Sequence, residues 1–120
     1  HLKNFALIYD TIADGPYLAP AYDLVTTRAY LADDRMALTL SGKPLWPDAK
    51  QLDNLGATRC LLSPADTKAI RETVANALSS TLKDMAIYAR EHPAFGDVFA
   101  AMKFHWQEGI EQSAGCTLDV

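Results

Sequence analysis

At 120 residues the chain has room for one ordinary domain and not for two. Hydrophobic residues at 49% and charged residues at 22% place it among globular proteins and exclude a wholly disordered chain. A net charge of −4, with 11 basic residues scattered singly, argues against direct nucleic-acid binding, and no apolar run reaches the roughly 18 residues of a membrane span.

In chain order, residues 4–9 (N-F-A-L-I-Y) predict a short, largely buried strand. Asp14-Gly15-Pro16 marks a turn. Residues 17–24, interrupted by Pro20, predict an edge strand or a short irregular one. Residues 36–40 (M-A-L-T-L) predict a third short strand, closed by Ser41-Gly42-Lys43-Pro44. Leu52 and Leu55 mark a short helix after Pro47-Asp48, ending near Gly56 or a few residues beyond. Ser63-Pro64-Ala65-Asp66 then carries a cap, a first-turn proline and an acid that complements the helix dipole.

The helix that follows has Ile70, Val74, Ala77, Leu78, Thr81, Met85 and Tyr88 at helical spacing. It should stop at His92-Pro93, because the residue before proline resists the α region. A last helix places Phe95, Val98, Phe99, Met102, Trp106 and Ile110 on one face, before a frayed tail over 115–120. Both stripes read as core packing. Lys83, Asp84, Arg90, Glu91, Glu108 and Glu111 read as solvated. The expected architecture is therefore mainly α: a strand-and-turn region over 1–46 and a helical region over 47–120, within a single domain.

Most side chains that could do chemistry have ordinary explanations. Cys60 and Cys116 form no C-x-x-C or zinc-spaced set and read as reduced thiols of a cytosolic protein. His92 sits at a helix end, where a cation is favoured, and His105 lacks a His or Cys at metal spacing. Ser79, Ser80 and Thr81 occur without a G-x-S-x-G elbow, so a hydrolase is not indicated.

Asn4 and Asp23 stand out. Asp23 is flanked by apolar residues, where a carboxylate needs backbone N–H groups, a base or a metal as partner. An Asx-turn or a helix cap is the ordinary explanation. Two strands joined at Asp14-Gly15 would instead bring Asn4 and Asp23 to one end of a hairpin. An amide oxygen beside a carboxylate is a hard oxygen site suited to Mg²⁺, which completes its shell with water and phosphate oxygens.

His1-Leu2-Lys3-Asn4-Phe5, with Leu18-Ala19-Pro20-Ala21-Tyr22-Asp23-Leu24, resembles the HipA-type kinases, the toxin kinases of bacterial toxin–antitoxin pairs. Ala37-Leu38-Thr39-Leu40-Ser41-Gly42-Lys43 resembles the segment that follows in that family. The resemblance covers about the first 45 residues at motif level; the helical remainder agrees with the family's C-terminal lobe in pattern. It implies the C-terminal lobe of a protein-kinase-like fold and an ATP-dependent serine/threonine protein kinase.

On the family's D-x-H-x-x-N loop pattern, Asn4 is the loop asparagine and a metal ligand. His1 is the residue two after the aspartate, near the phosphates. The aspartate itself is then expected two residues before His1, so no catalytic base lies within the chain. Tyr22 is implied beside the nucleotide, and Asp23 as the second metal ligand. Leu24 stands where D-F-G carries glycine, which removes the hinge used for in–out switching.

The implied cofactors are ATP and Mg²⁺. The implied partners are a protein substrate and a DNA-binding antitoxin, in the cytoplasm. The sequence contains no Gly-rich phosphate loop and no V-A-I-K lysine, so the 120 residues read as part of a bilobed enzyme, inactive alone. Apolar surface around Phe5, Leu7 and Tyr22 would then favour self-association. The alternatives are a non-catalytic helical interaction module and a small-molecule phosphotransferase with the same loop chemistry.

Overall fold

The computed structural model describes residues 2–118. A 3-10 turn, Leu2–Asn4, leads into a two-stranded antiparallel hairpin, β1 (Leu7–Ile8) and β2 (Tyr17–Leu18). A second 3-10 turn, Thr27–Ala29, follows. Three α-helices follow among the described residues: α1 (Ala49–Arg59), α2 (Pro64–Glu91) and α3 (Gly96–Ala114), with a 3-10 turn, Pro93–Phe95, between the last two. The architecture is mainly helical with a small hairpin, as expected. Among the described residues, no helix is long and apolar enough to cross a membrane.

The helix ends follow from local chemistry. Ser63 accepts from the Asp66 N–H, and the Asp66 carboxylate accepts from the Ser63 N–H, a reciprocal capping box. Asp48 and Gln51 make the same arrangement for α1. His92, before Pro93, closes α2; its ring lies on Tyr88 at a centroid distance of 4.0 Å. Gly115, at φ 70°, ends α3 in the left-handed conformation glycine favours.

The strand expected over 4–9 is shorter than the apolar run, and the segment over 17–24 takes the short, irregular form expected of it. Residues 2–4 wind into a 3-10 turn, and Pro16 and Pro20 flank β2, so each strand keeps two residues. The first run is not largely buried either: Phe5, Leu7 and Tyr9 are exposed, because only one partner strand covers so short a ladder. The predicted strand over 36–40 does not form. Leu40 and Lys43 instead exchange two 3.1 Å backbone hydrogen bonds around Ser41-Gly42, both left-handed as a tight two-residue turn requires.

The buried side of α2 is rotated from the predicted stripe. Thr67, Ala75 and Leu82 are buried, whereas Ile70, Val74 and Tyr88 are each about half exposed. A polar clasp sets that rotation. Thr67 Oγ1 donates to Asp53 Oδ1 at 2.7 Å, and the Arg71 guanidinium pairs with the same carboxylate. Gly56 of α1 lies against Thr67 so closely that a Cβ there would stand 2.2 Å from Thr67 Cγ2. The side of α2 that faces its neighbours is thus set by Thr67 and Arg71.

The fully enclosed core is thin: Leu82 at its centre, with Ala75 and Ile110. The radius of gyration is 16.6 Å, against about 13.6 Å for a compact chain of this length. The 28 residues of α2, roughly 42 Å long, account for the elongation.

Candidate functional site

The hairpin brings Asn4 and Asp23 together. Asn4 Nδ2 donates to Asp23 Oδ2 at 2.8 Å, across 19 residues of sequence. Tyr22 does not stand apart from this pair: its hydroxyl donates to the Lys3 carbonyl, tying the residue before Asp23 to the residue before Asn4. His1, the remaining predicted site residue, lies outside the described residues.

Asp23 is exposed and has φ 55°, in the left-handed region. Aspartate tolerates that region better than most residues, at a conformational cost that the surrounding bonds must offset. Those bonds come from both directions. On the N-terminal side are the Asn4 amide and the Tyr22 hydroxyl. On the C-terminal side the chain is tied to α3: Trp106 Nε1 donates to Thr26 Oγ1 at 2.8 Å, and Arg28 Nη1 donates to Glu108 Oε2 at 2.9 Å.

Glu108 is therefore an ion-pair partner, not merely a solvated face residue. The Arg28 guanidinium, helped by the nearby His105 ring at 3.5 Å, holds its carboxyl below the ordinary carboxylate range. Sequence gave no sign of either tie, since both span 80 residues and neither has a local pattern.

The short segment after Asp23 is also closed on itself. Thr27 Oγ1 donates to Asp34 Oδ2 at 2.5 Å, and the N–H groups of Tyr30 and Leu31 both donate to the Thr27 carbonyl at 2.9 Å. Behind it lies a cleft of about 400 Å³ between Val25, Trp46, Val74, Leu78, Trp106 and Ile110. Neither Asn4 nor Asp23 lines that cleft, so the candidate site is the hairpin end and not the cavity.

The donor set suits a hard cation in its chemistry. One carboxylate and one amide match the one or two protein ligands that Mg²⁺ takes, with phosphate and water supplying the rest. Among the described residues no group of three or more His, Cys, Asp or Glu could hold a metal by itself. An ion here would thus depend on a phosphate-bearing ligand. The Asn4 amide would have to turn its oxygen toward the ion, exchanging its donation to Asp23 for coordination.

A mainly helical domain with an Asn–Asp pair at the end of a small hairpin is the class the geometry defines. The model of the HipA-like C-terminal domain family matches residues 1–82, and the chain belongs to that family. No curated protein and no solved structure matches the chain significantly.

Proposed function

We propose that the chain is part of an ATP-dependent protein serine/threonine kinase of HipA type, with Asn4 and Asp23 as protein ligands of its magnesium–nucleotide complex. The observation that supports this most is the 2.8 Å Asn4–Asp23 contact, within the residues that match the HipA-like C-terminal domain. When bound, magnesium and ATP supply the phosphoryl group and the charge that offsets its oxygens.

The chain's own residues do the positioning. Asp23 presents a carboxylate on an exposed turn, and Asn4 presents an amide beside it. Tyr22, bonded to the Lys3 carbonyl, fixes the spacing between the turns that carry them. His1 would lie near the phosphates. Residues 1–46 then form the catalytic-loop and metal-binding region and residues 47–120 its helical support. The same reading carries a seryl or threonyl protein substrate, a DNA-binding antitoxin partner and a cytoplasmic setting.

The test is phosphoryl transfer by the intact kinase carrying Asp23→Ala. Loss of turnover by about a hundredfold or more, with an unchanged melting temperature, supports the ligand role. Normal turnover overturns it. Transfer to a sugar or an antibiotic, with none to any protein, would overturn the protein-kinase reading in favour of a small-molecule phosphotransferase.

A further inference from the structure

The ties on the C-terminal side of Asp23 come from one place. Thr26 and Arg28 stand three and five residues after it, and both reach α3. Trp106 and Glu108 are two residues apart on that helix. Further along, Gln112 Nε2 donates to the Trp46 carbonyl at 2.9 Å, so α3 also holds the chain just before α1. The turn that Thr27 closes with Tyr30, Leu31 and Asp34 contains Arg28, so the Arg28–Glu108 pair joins that turn to α3.

The hairpin could not provide this grip alone. Its two strands have two residues each, and its side chains are largely exposed. An isolated two-stranded hairpin is marginal in water. A left-handed aspartate at its end needs outside support to stay in that conformation.

We propose that α3 sets the position of Asp23, with Trp106 and Glu108 acting as positioning residues through Thr26 and Arg28. This deepens the kinase reading and rests on it for its functional meaning. Within the chain itself, loosening α3's hold lets residues 24–31 open locally and disturbs the Asn4–Asp23 pair. The family match ends at residue 82, so both positioning residues lie beyond it.

The experiment is amide hydrogen exchange and NMR on this 120-residue chain. The reporters are the Tyr30 and Leu31 amides, which donate to the Thr27 carbonyl, and the Asn4 side-chain amide. The variants are Trp106→Phe, which keeps a ring and removes the N–H donor, Thr26→Val and Glu108→Gln. Each should speed exchange at Tyr30 and Leu31 about tenfold and shift the Asn4 side-chain resonance, with the Leu52 amide of α1 unchanged. The exchanged pair Arg28→Glu with Glu108→Arg should restore protection that Arg28→Glu alone removes.

Unchanged exchange in all three variants overturns the proposal, as does an equal rise at Leu52, which reports loss of the whole fold. Faster exchange with an unmoved Asn4 resonance also overturns it, because the ties would then serve packing only. The kinase reading fails separately, through normal turnover of Asp23→Ala, and leaves these exchange results to stand on their own.

Discussion

Gly56→Ala offers the sharpest check on how α1 and α2 fit together. In an isolated helix the change would be stabilising by about 1 kcal/mol, since glycine is a poor helix former. Here the added Cβ would stand 2.2 Å from Thr67 Cγ2, more than an ångström inside ordinary contact. Thr67 cannot easily swing away. It is buried, and its hydroxyl, 2.7 Å from Asp53 Oδ1 and 3.1 Å from the Pro64 carbonyl, has its one hydrogen placed between these two acceptors, so a new rotamer breaks that hydrogen bond.

Overpacking of this kind costs roughly 1–3 kcal/mol, and a broken buried hydrogen bond adds about 1 kcal/mol more. After the helix-propensity gain, a net destabilisation of about 1–3 kcal/mol remains. That corresponds to a melting temperature lower by about 4–12 °C. Thermal and urea unfolding followed by far-UV circular dichroism reads it. Adding Thr67→Ser removes the offending methyl group and keeps the hydroxyl, so the double variant should recover stability relative to Gly56→Ala. An unchanged or raised melting temperature for Gly56→Ala, or a double variant no better than the single, would mean that Thr67 does not fill the space beside Gly56.

Trp106→Ala should destabilise by about 2–4 kcal/mol, below the full value for a buried tryptophan because the side chain is half-buried; a midpoint within error of the parent in urea would count against its packing role. Stability should fall on acidification, because Asp53, Asp66 and Glu108 are held below their ordinary values, chiefly by Thr67, Ser63 and Arg28 respectively. For a depressed carboxylate the contribution is fully present above the unfolded value and disappears as pH drops through the folded one. The loss should begin near 4.5 for Glu108 and 3.8 for the aspartates, and continue below. A urea midpoint that stays constant from pH 7 down to about pH 3 contradicts this. The chain by itself should transfer no phosphate from ATP to any protein; radiolabel transfer by the purified 120 residues would show otherwise.

Helix ends were legible because their signals are local. Ser63-Pro64 with Asp66, and His92-Pro93, mark the limits of α2 within a few adjacent residues. The side of α2 that buries was not legible. Ile70 and Val74 are more apolar than Thr67 and Arg71, yet a shared carboxylate on α1 turns the polar pair inward. Strand length was overread because apolar runs such as 4–9 and 36–40 need a ladder partner, and hydropathy does not reveal whether one exists. The Asn4–Asp23 approach could be anticipated from the turn between them. The ties from Thr26 and Arg28 to α3 could not, since nothing within a helical turn of either residue announces a partner 80 positions away.

Those distant ties bear on the order in which the chain folds. During synthesis, at about 5–20 residues per second, residues 24–29 emerge several seconds before Trp106 and Glu108 exist. For that interval the segment has nothing to close against, and the hairpin's exposed side chains stand without the finished helical frame. Contacts spanning 80 residues raise the mean sequence separation and slow folding relative to a bundle of local helices. The Asn4–Asp23 pair at the hairpin end is thus translated before the helix that supports it, and a ribosome-stalled chain ending before α3 would carry Asp23 without its ties to Trp106 and Glu108.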